Sequence, residues 1–345
     1  MPDLPERPDL AQLRRQAKEL LRDAKSGDAG ALERIRTVSN RPALASAQLA
    51  LAREYGFSSW PKLKHEVERR DILNSRDLRR LSSLLAEDPS LATESMEHWC
   101  DHRRGVAPLN YIAMIRFDAR RLGLPRELPG TGAVASALLA AGAPMDGLPD
   151  DTETPLMTAA SYGDAEVARA LIDAGADLDA TAHPNAGGVP CGSALLHAAV
   201  FGMTDVLDLL VAAGAGIRSI EEGAAAGDVS GWLTADTPLQ ARVRALTMAA
   251  DHQRLEVMDR LLAAGTPVDA VDEQFRRQPL RVAAQHGRPA SVRYLLEHGA
   301  DPNLRDDNGL TALDLCHAEH RYLDNPGHAA VDRILRPVTD TAEVL

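Results

Sequence analysis

The sequence predicts an all-α fold: a solenoid of helical repeats preceded by a degenerate helical N-terminal cap. Three observations carry that expectation. The stretch TPLMTAASYGDAEVARALIDAGADLDA, residues 154–180, returns as SALLHAAVFGMTDVLDLLVAAGAGI, RALTMAADHQRLEVMDRLLAAGTPVDA and QPLRVAAQHGRPASVRYLLEHGADPN. Leu246 and Leu280 stand at matching places in two of these copies and Leu313 at that of the unit after them, 34 and then 33 residues apart. A unit of that length cannot bury its own apolar faces and must stack on its neighbours. Finally, apolar residues make up 45% of the chain and aromatics only 3%, so the core is built from Ala, Leu, Val and Ile. Small aliphatic cores suit closely packed helices better than β-sandwiches.

The elements follow in order. DLAQLRRQAKELLRDAKSGD sets Leu10, Leu13, Ala17, Leu20, Leu21 and Ala24 at helical spacing. ALASAQLALAREYGFSSWPKLKHEVE reads as two helices broken at Gly56, the second opening at Ser59 and Pro61. DILNSRDLRRLSSLLAEDPSLA resembles a degenerate helix pair. Residues 1–92 therefore form a helical cap, either continuous with the array or a small domain of its own. The array occupies residues 93–335 and a tail 336–345.

APLNYIAM, from Ala107, opens the first full unit. Its partner AVASALLAAGAPMDG follows only after RFDARRLGLPRELPGTG, an insertion at 116–132 expected as a solvated loop. In residues 154–180, Thr154 caps a helix and Pro155 takes its first position. Gly163 ends that helix in a left-handed conformation, Asp164 caps the next, and Gly175 closes it. A second insertion, 181–192, stretches the Leu156-to-Leu195 spacing to 39. SIEEGAAAGDVSGWL reads as a shortened repeat with Gly227 as its inter-helix turn, and AAVDRILRP closes the array.

TPLMTAASYG, SALLHAAVFG, QPLRVAAQHG and NGLTALDL, with the endings LIDAGADLDA, LLAAGTPVDA and LLEHGADPN, resemble the ankyrin repeat family over roughly residues 107–335. The resemblance implies paired antiparallel helices, hairpin-like arms and a concave face used for binding. Its register, carried onto this chain, makes Tyr111, Thr158, Ser161, Tyr162, His197, Phe201, Glu222, Met248, Asp251, His252, Gln285 and His286 the groove. Arg116, Asp118, Arg120 and Arg121 on the first insertion, and His183 and Asn185 on the second, are candidate further contacts. The implied function is non-catalytic: holding a protein partner in the groove and along the arms. The alternative is a small-molecule or catalytic pocket roofed by the two insertions, with His197 and Glu222 converging.

Composition narrows the partners. The formal charge is −12, and the Arg clusters are too modest for a basic stripe, so no nucleic-acid partner is expected. No run of about 18 apolar residues exists to cross a membrane. MPDLPERPDL lacks the features of a secretory leader. A cytoplasmic monomer is the expectation. Cys100, Cys191 and Cys316 are odd in number and lack C-x-x-C spacing, as for reduced thiols, with Cys316 standing in for a core alanine. Lysine occurs only at 18, 25, 62 and 64, an Arg bias that points to a GC-rich bacterial genome. The histidines and acids show no metal-ligand spacing, and GAAAGD lacks the Lys-Ser/Thr of a phosphate loop. No cofactor, metal or catalytic residue is expected.

Overall fold

The structure is a computed structural model describing residues 4–5, 8–96, 106–125, 128–320 and 326–339. The chain divides into two compact units, Met1–Ala176 and Asp177–Leu345.

In the first unit, α1 (Leu10–Lys25), α2 (Ala29–Arg36), α3 (Leu44–Glu54), α4 (Trp60–Ser75) and α5 (Leu78–Glu87) precede the repeats. Four of the five starts follow from side-chain caps. Asp9 accepts from the Ala11 N–H at 2.7 Å, Asp28 from Ala31 at 2.8 Å, Ser59 from Lys62 at 3.3 Å and Asp77 from Arg80 at 3.0 Å. Leu13 and Ala17 of α1 pack with Leu51, Leu63 and Val67. Leu20 and Ala24, one turn on, pack with Ile35 and Ala47. Arg76 takes the left-handed position after α4 with φ 54°, a place glycine would normally hold. Its guanidinium is tied to the carbonyls of Asn74 at 2.6 Å and Pro129 at 3.0 Å.

The first repeats are α6 (Pro108–Leu122) with α7 (Thr131–Ala140), and α8 (Pro155–Tyr162) with α9 (Ala165–Ala174). α6 packs on α8 and α7 on α9, as stacked hairpins do. Thr154 accepts from the Met157 N–H at 3.2 Å, Gly163 adopts φ 73°, and Asp164 accepts from Val167 at 3.1 Å, all as expected. The first insertion is different. Residues 116–122, expected as loop, extend α6 by two turns, because Ala119 and Leu122 continue its buried stripe beyond Ile115.

The second unit holds α10 (Ala194–Val200), α11 (Thr204–Ala212), α12 (Ile220–Ala226), α13 (Leu239–Asp251), α14 (Leu255–Ala263), α15 (Pro279–Gln285), α16 (Pro289–Glu297), α17 (Ala312–His320) and α18 (Pro326–Leu335). Inner helices pack in the order α10, α12, α13, α15, α17, and outer helices in the order α14, α16, α18. This is an all-α repeat solenoid. Leu246, Leu261, Leu280, Leu295, Leu313 and Val331 belong to its common core.

The shortened repeat departs from expectation. Gly227, φ 102°, ends α12, but no outer helix follows before α13. A turn through residues 228–233 takes that place and plugs the gap with fully buried Val229. A Cβ at Gly223 would lie 2.6 Å from the Asp228 carbonyl oxygen, so only glycine lets the turn lie flat on α12.

The arms are turns rather than strands among the described residues. The 181–192 loop is closed at its base by a single bridge between Thr181 and Ser193 and by Ala182 N–H donating to the Gly192 carbonyl at 2.9 Å. Cys316 is buried, donates to the His328 carbonyl at 3.5 Å, and has its thiol pKa pushed up to about 11 by burial. Cys191 is exposed, and Cys100 lies outside the described residues. No described helix is long and apolar enough to cross a membrane.

Candidate functional site

The twelve groove positions separate into two groups. Tyr111, Thr158, Ser161, His197, Glu222, Asp251 and His252 are all buried, the most exposed being Ser161 at 8%. Tyr162, Met248, Gln285 and His286 are half-buried, and Phe201 is exposed.

In the first unit the buried members tie helices together. Thr158 Oγ1 accepts from Asn110 Nδ2 at 3.2 Å and donates to the Thr154 carbonyl at 3.2 Å. The Tyr111 hydroxyl donates to Asn74 Oδ1, joining α6 to α4. Ser161 donates to the Met157 carbonyl at 3.0 Å. Tyr162 instead pairs with Phe117, ring centroids 5.0 Å apart, at the C-terminal ends of α8 and α6. Phe117 was hidden from sequence reading inside the supposed loop.

The charges of the first insertion are mostly engaged at home. Arg116 Nε donates to Asp164 Oδ2 at 2.9 Å, while Asp164 Oδ1 accepts from Thr131 Oγ1 at 2.9 Å. Asp164 is wholly buried, so Arg116 supplies the countercharge such a carboxylate needs. Arg121 pairs with Asp118 at 3.1 Å, one turn back. Arg120 is exposed. On the second insertion, His183 Nδ1 accepts from the Asn185 N–H at 3.1 Å, a turn-closing contact that leaves both residues exposed.

In the second unit a polar clamp gathers around residues 199–204, where α10 turns into α11. His252 sets Nε2 3.0 Å from the Ala199 carbonyl and Nδ1 2.9 Å from Thr204 Oγ1. Arg288 donates to the Gly202 carbonyl, and Arg277 reaches the Val200 carbonyl at 3.4 Å. Asp251 binds His286 Nδ1 at 2.7 Å and Arg288 Nε at 3.4 Å. Burial pushes the Asp251 pKa up, but His286, His252 and Arg288 outweigh it and hold the carboxyl below its ordinary value. Gly202, φ 71°, faces this cluster, and a Cβ there would lie 2.9 Å from both Asp251 Oδ1 and His286 Nδ1. Phe201 therefore projects from a turn held by three later side chains.

Glu222 does a different job. It accepts from the Arg218 N–H, and its own N–H donates to Ser219 Oγ at 3.1 Å. This is capping at the start of α12. Burial, its foremost cause, raises the Glu222 pKa against those hydrogen bonds. Among the described residues no three His, Cys, Asp or Glu side chains are set to hold a metal.

Two family models match the chain. The model for ankyrin repeats in three copies covers residues 130–221, and that for ankyrin repeats in many copies covers 261–316. The chain carries ankyrin repeats over these residues. It is 41% identical over 70 residues to a putative ankyrin repeat-containing protein of Treponema pallidum, 20% of this chain and 24% of the relative. It is 36% identical over 89 residues to the human Espin-like protein, 26% of this chain and 8% of the relative. It is 33% identical over 86 residues to palmitoyltransferase Hip14 of Drosophila melanogaster, 25% of this chain and 13% of the relative. The chain thus spans a quarter or less of the length of these relatives.

Against the ankyrin pattern, the residues that sequence reading missed are arginines. Arg254 and Arg288 stand at the N-caps of α14 and α16, and neither caps with its side chain. A cation at a helix N-terminus opposes the helix dipole. That was the available signal: each is there for another repeat. Arg254 donates to the Ala225 carbonyl at 2.8 Å and to Asp208, as Arg288 donates to Gly202 and Asp251.

Proposed function

We propose that this ankyrin array is a non-catalytic binding protein that holds a protein partner on its exposed repeat side chains. In the second unit, Phe201, Met248, Gln285 and His286 would make the contact. The observation that supports this most is the clamped turn beneath Phe201. An aromatic side chain on backbone held by His252, Arg277 and Arg288 loses little freedom when a partner covers it, so modest contacts suffice for binding. Buried Asp251 and His252 of the same unit act as the frame that holds this surface.

Comparative affinity capture tests the reading, using the intact chain beside a Phe201→Ala, Met248→Ala variant. Phe201 is 36% exposed, so its loss should leave folding intact. Met248 packs partly on the core, so its truncation should lower the melting temperature somewhat; the expected outcome is disappearance of the same prey from a variant that still unfolds cooperatively. Identical prey from both proteins would reject Phe201 and Met248 as the contact.

A further inference from the structure

The chain is acidic overall, but α1 gathers five cations along one side. This helix buries Leu13, Ala17, Leu20 and Ala24 and turns its other side outward. At about 100° per residue, Arg14, Lys25, Lys18, Arg22 and Arg15 all fall within one arc of roughly 100°, and Glu19 and Asp23 lie beside it. All five cations are exposed. Arg22 pairs with Asp23 at 3.2 Å. Arg14, Arg15, Lys18 and Lys25 make no ion pair among the described residues.

The form of the stripe selects its partner. Its length from Arg14 to Lys25 is about 16 Å, three helical turns. None of the exposed large apolar side chains lies on α1, so it offers nothing to insert into a lipid layer or to stack on a base. A duplex carries a charge every ~1.7 Å and continues past the end of the stripe. A short acidic segment ends where the cations end. We propose that α1 docks a short acidic peptide segment of a partner protein, with carboxylates about one helical turn apart facing Arg14, Lys18 and Arg22. This surface lies in the first unit and does not depend on the Phe201 reading.

The test uses the full chain and a labelled helical peptide with glutamates at every fourth position, followed by fluorescence anisotropy at low salt. A peptide with glutamine in place of glutamate is the control. The Arg14→Glu, Lys18→Glu variant should bind about tenfold more weakly or worse, while Arg79→Glu on α5, also exposed, should bind as the parent does. Circular dichroism checks that both variants fold. Binding should also weaken as salt rises. The proposal is overturned if the glutamate peptide does not bind at low salt, or if the double reversal leaves its affinity unchanged. It is equally overturned if phosphatidylserine vesicles or duplex DNA bind α1 more tightly than the peptide does.

Discussion

His252 has its tautomer set by its neighbours. A carbonyl can only accept, so Nε2 carries the proton toward Ala199, and Nδ1 takes the hydrogen of the Thr204 hydroxyl. Above its lowered pKa the ring is neutral, and it gains charge only in acid. Burial, the foremost cause, lowers its pKa, helped by Arg288 and Arg254 and opposed by Asp251 and the Ala199 carbonyl. With the folded pKa below the unfolded value of about 6.5, the unfolded chain binds more protons between the two. Stability from this site is therefore complete above about 6.5 and falls as the solution is acidified through the folded value. Urea midpoints should drop more between pH 7 and pH 5 for the parent than for His252→Gln, and equal drops would refute this account of the ring. Gly202 carries a second prediction. Gly202→Ala must bear a left-handed alanine, costing about 1–2 kcal/mol, and must also displace Asp251 or His286. Gly214→Ala, at φ 92° with open space around it, bears only the backbone cost. Chemical denaturation should show Gly202→Ala as the worse by about 1–2 kcal/mol. If the two losses match, crowding by Asp251 and His286 is not what requires glycine at this turn.

Elements formed where local chemistry demanded them. Thr154, Gly163 and Asp164 mark one helix end and the next helix start within a few residues, and such signals need no tertiary partner. The α6 extension was legible too, since Ala119 and Leu122 follow Ile115 at i+4 and i+7. The arginines around them disguised that spacing as a loop. The missing outer helix beside α12 was not legible, because a plug of one valine has no periodicity. It has a dynamic consequence. A seven-residue helix is unstable alone, and α12 has the 228–233 turn where its neighbours have an outer helix of their own. Hydrogen exchange should therefore be faster in α12 than in α13 or α15. Val229→Ala, removing two buried methyl groups worth about 1.5 kcal/mol, should speed α12 further. Uniform exchange across the three helices would count against this weak joint.

Across the whole chain, the sequence by itself determined the repeat period, most of the helix limits and the runs of like charge. Asp146, Asp150, Asp151 and Glu153 crowd one arm without a cation among them, whereas α1 collects five cations. All of this rests on spacing and capping, which act over a few residues. Only tertiary structure decided which positions of the common register reach solvent. Phe201, His252 and His286 occupy the same C-cap place on α10, α13 and α15. Yet Phe201 is 36% exposed, His252 is 2% exposed against Ala199 and Thr204, and His286 is half-covered beside Asp251. A register states which way a side chain points. How far the neighbouring repeat closes over it depends on contacts from residues some 50 positions away, and no local pattern contains them.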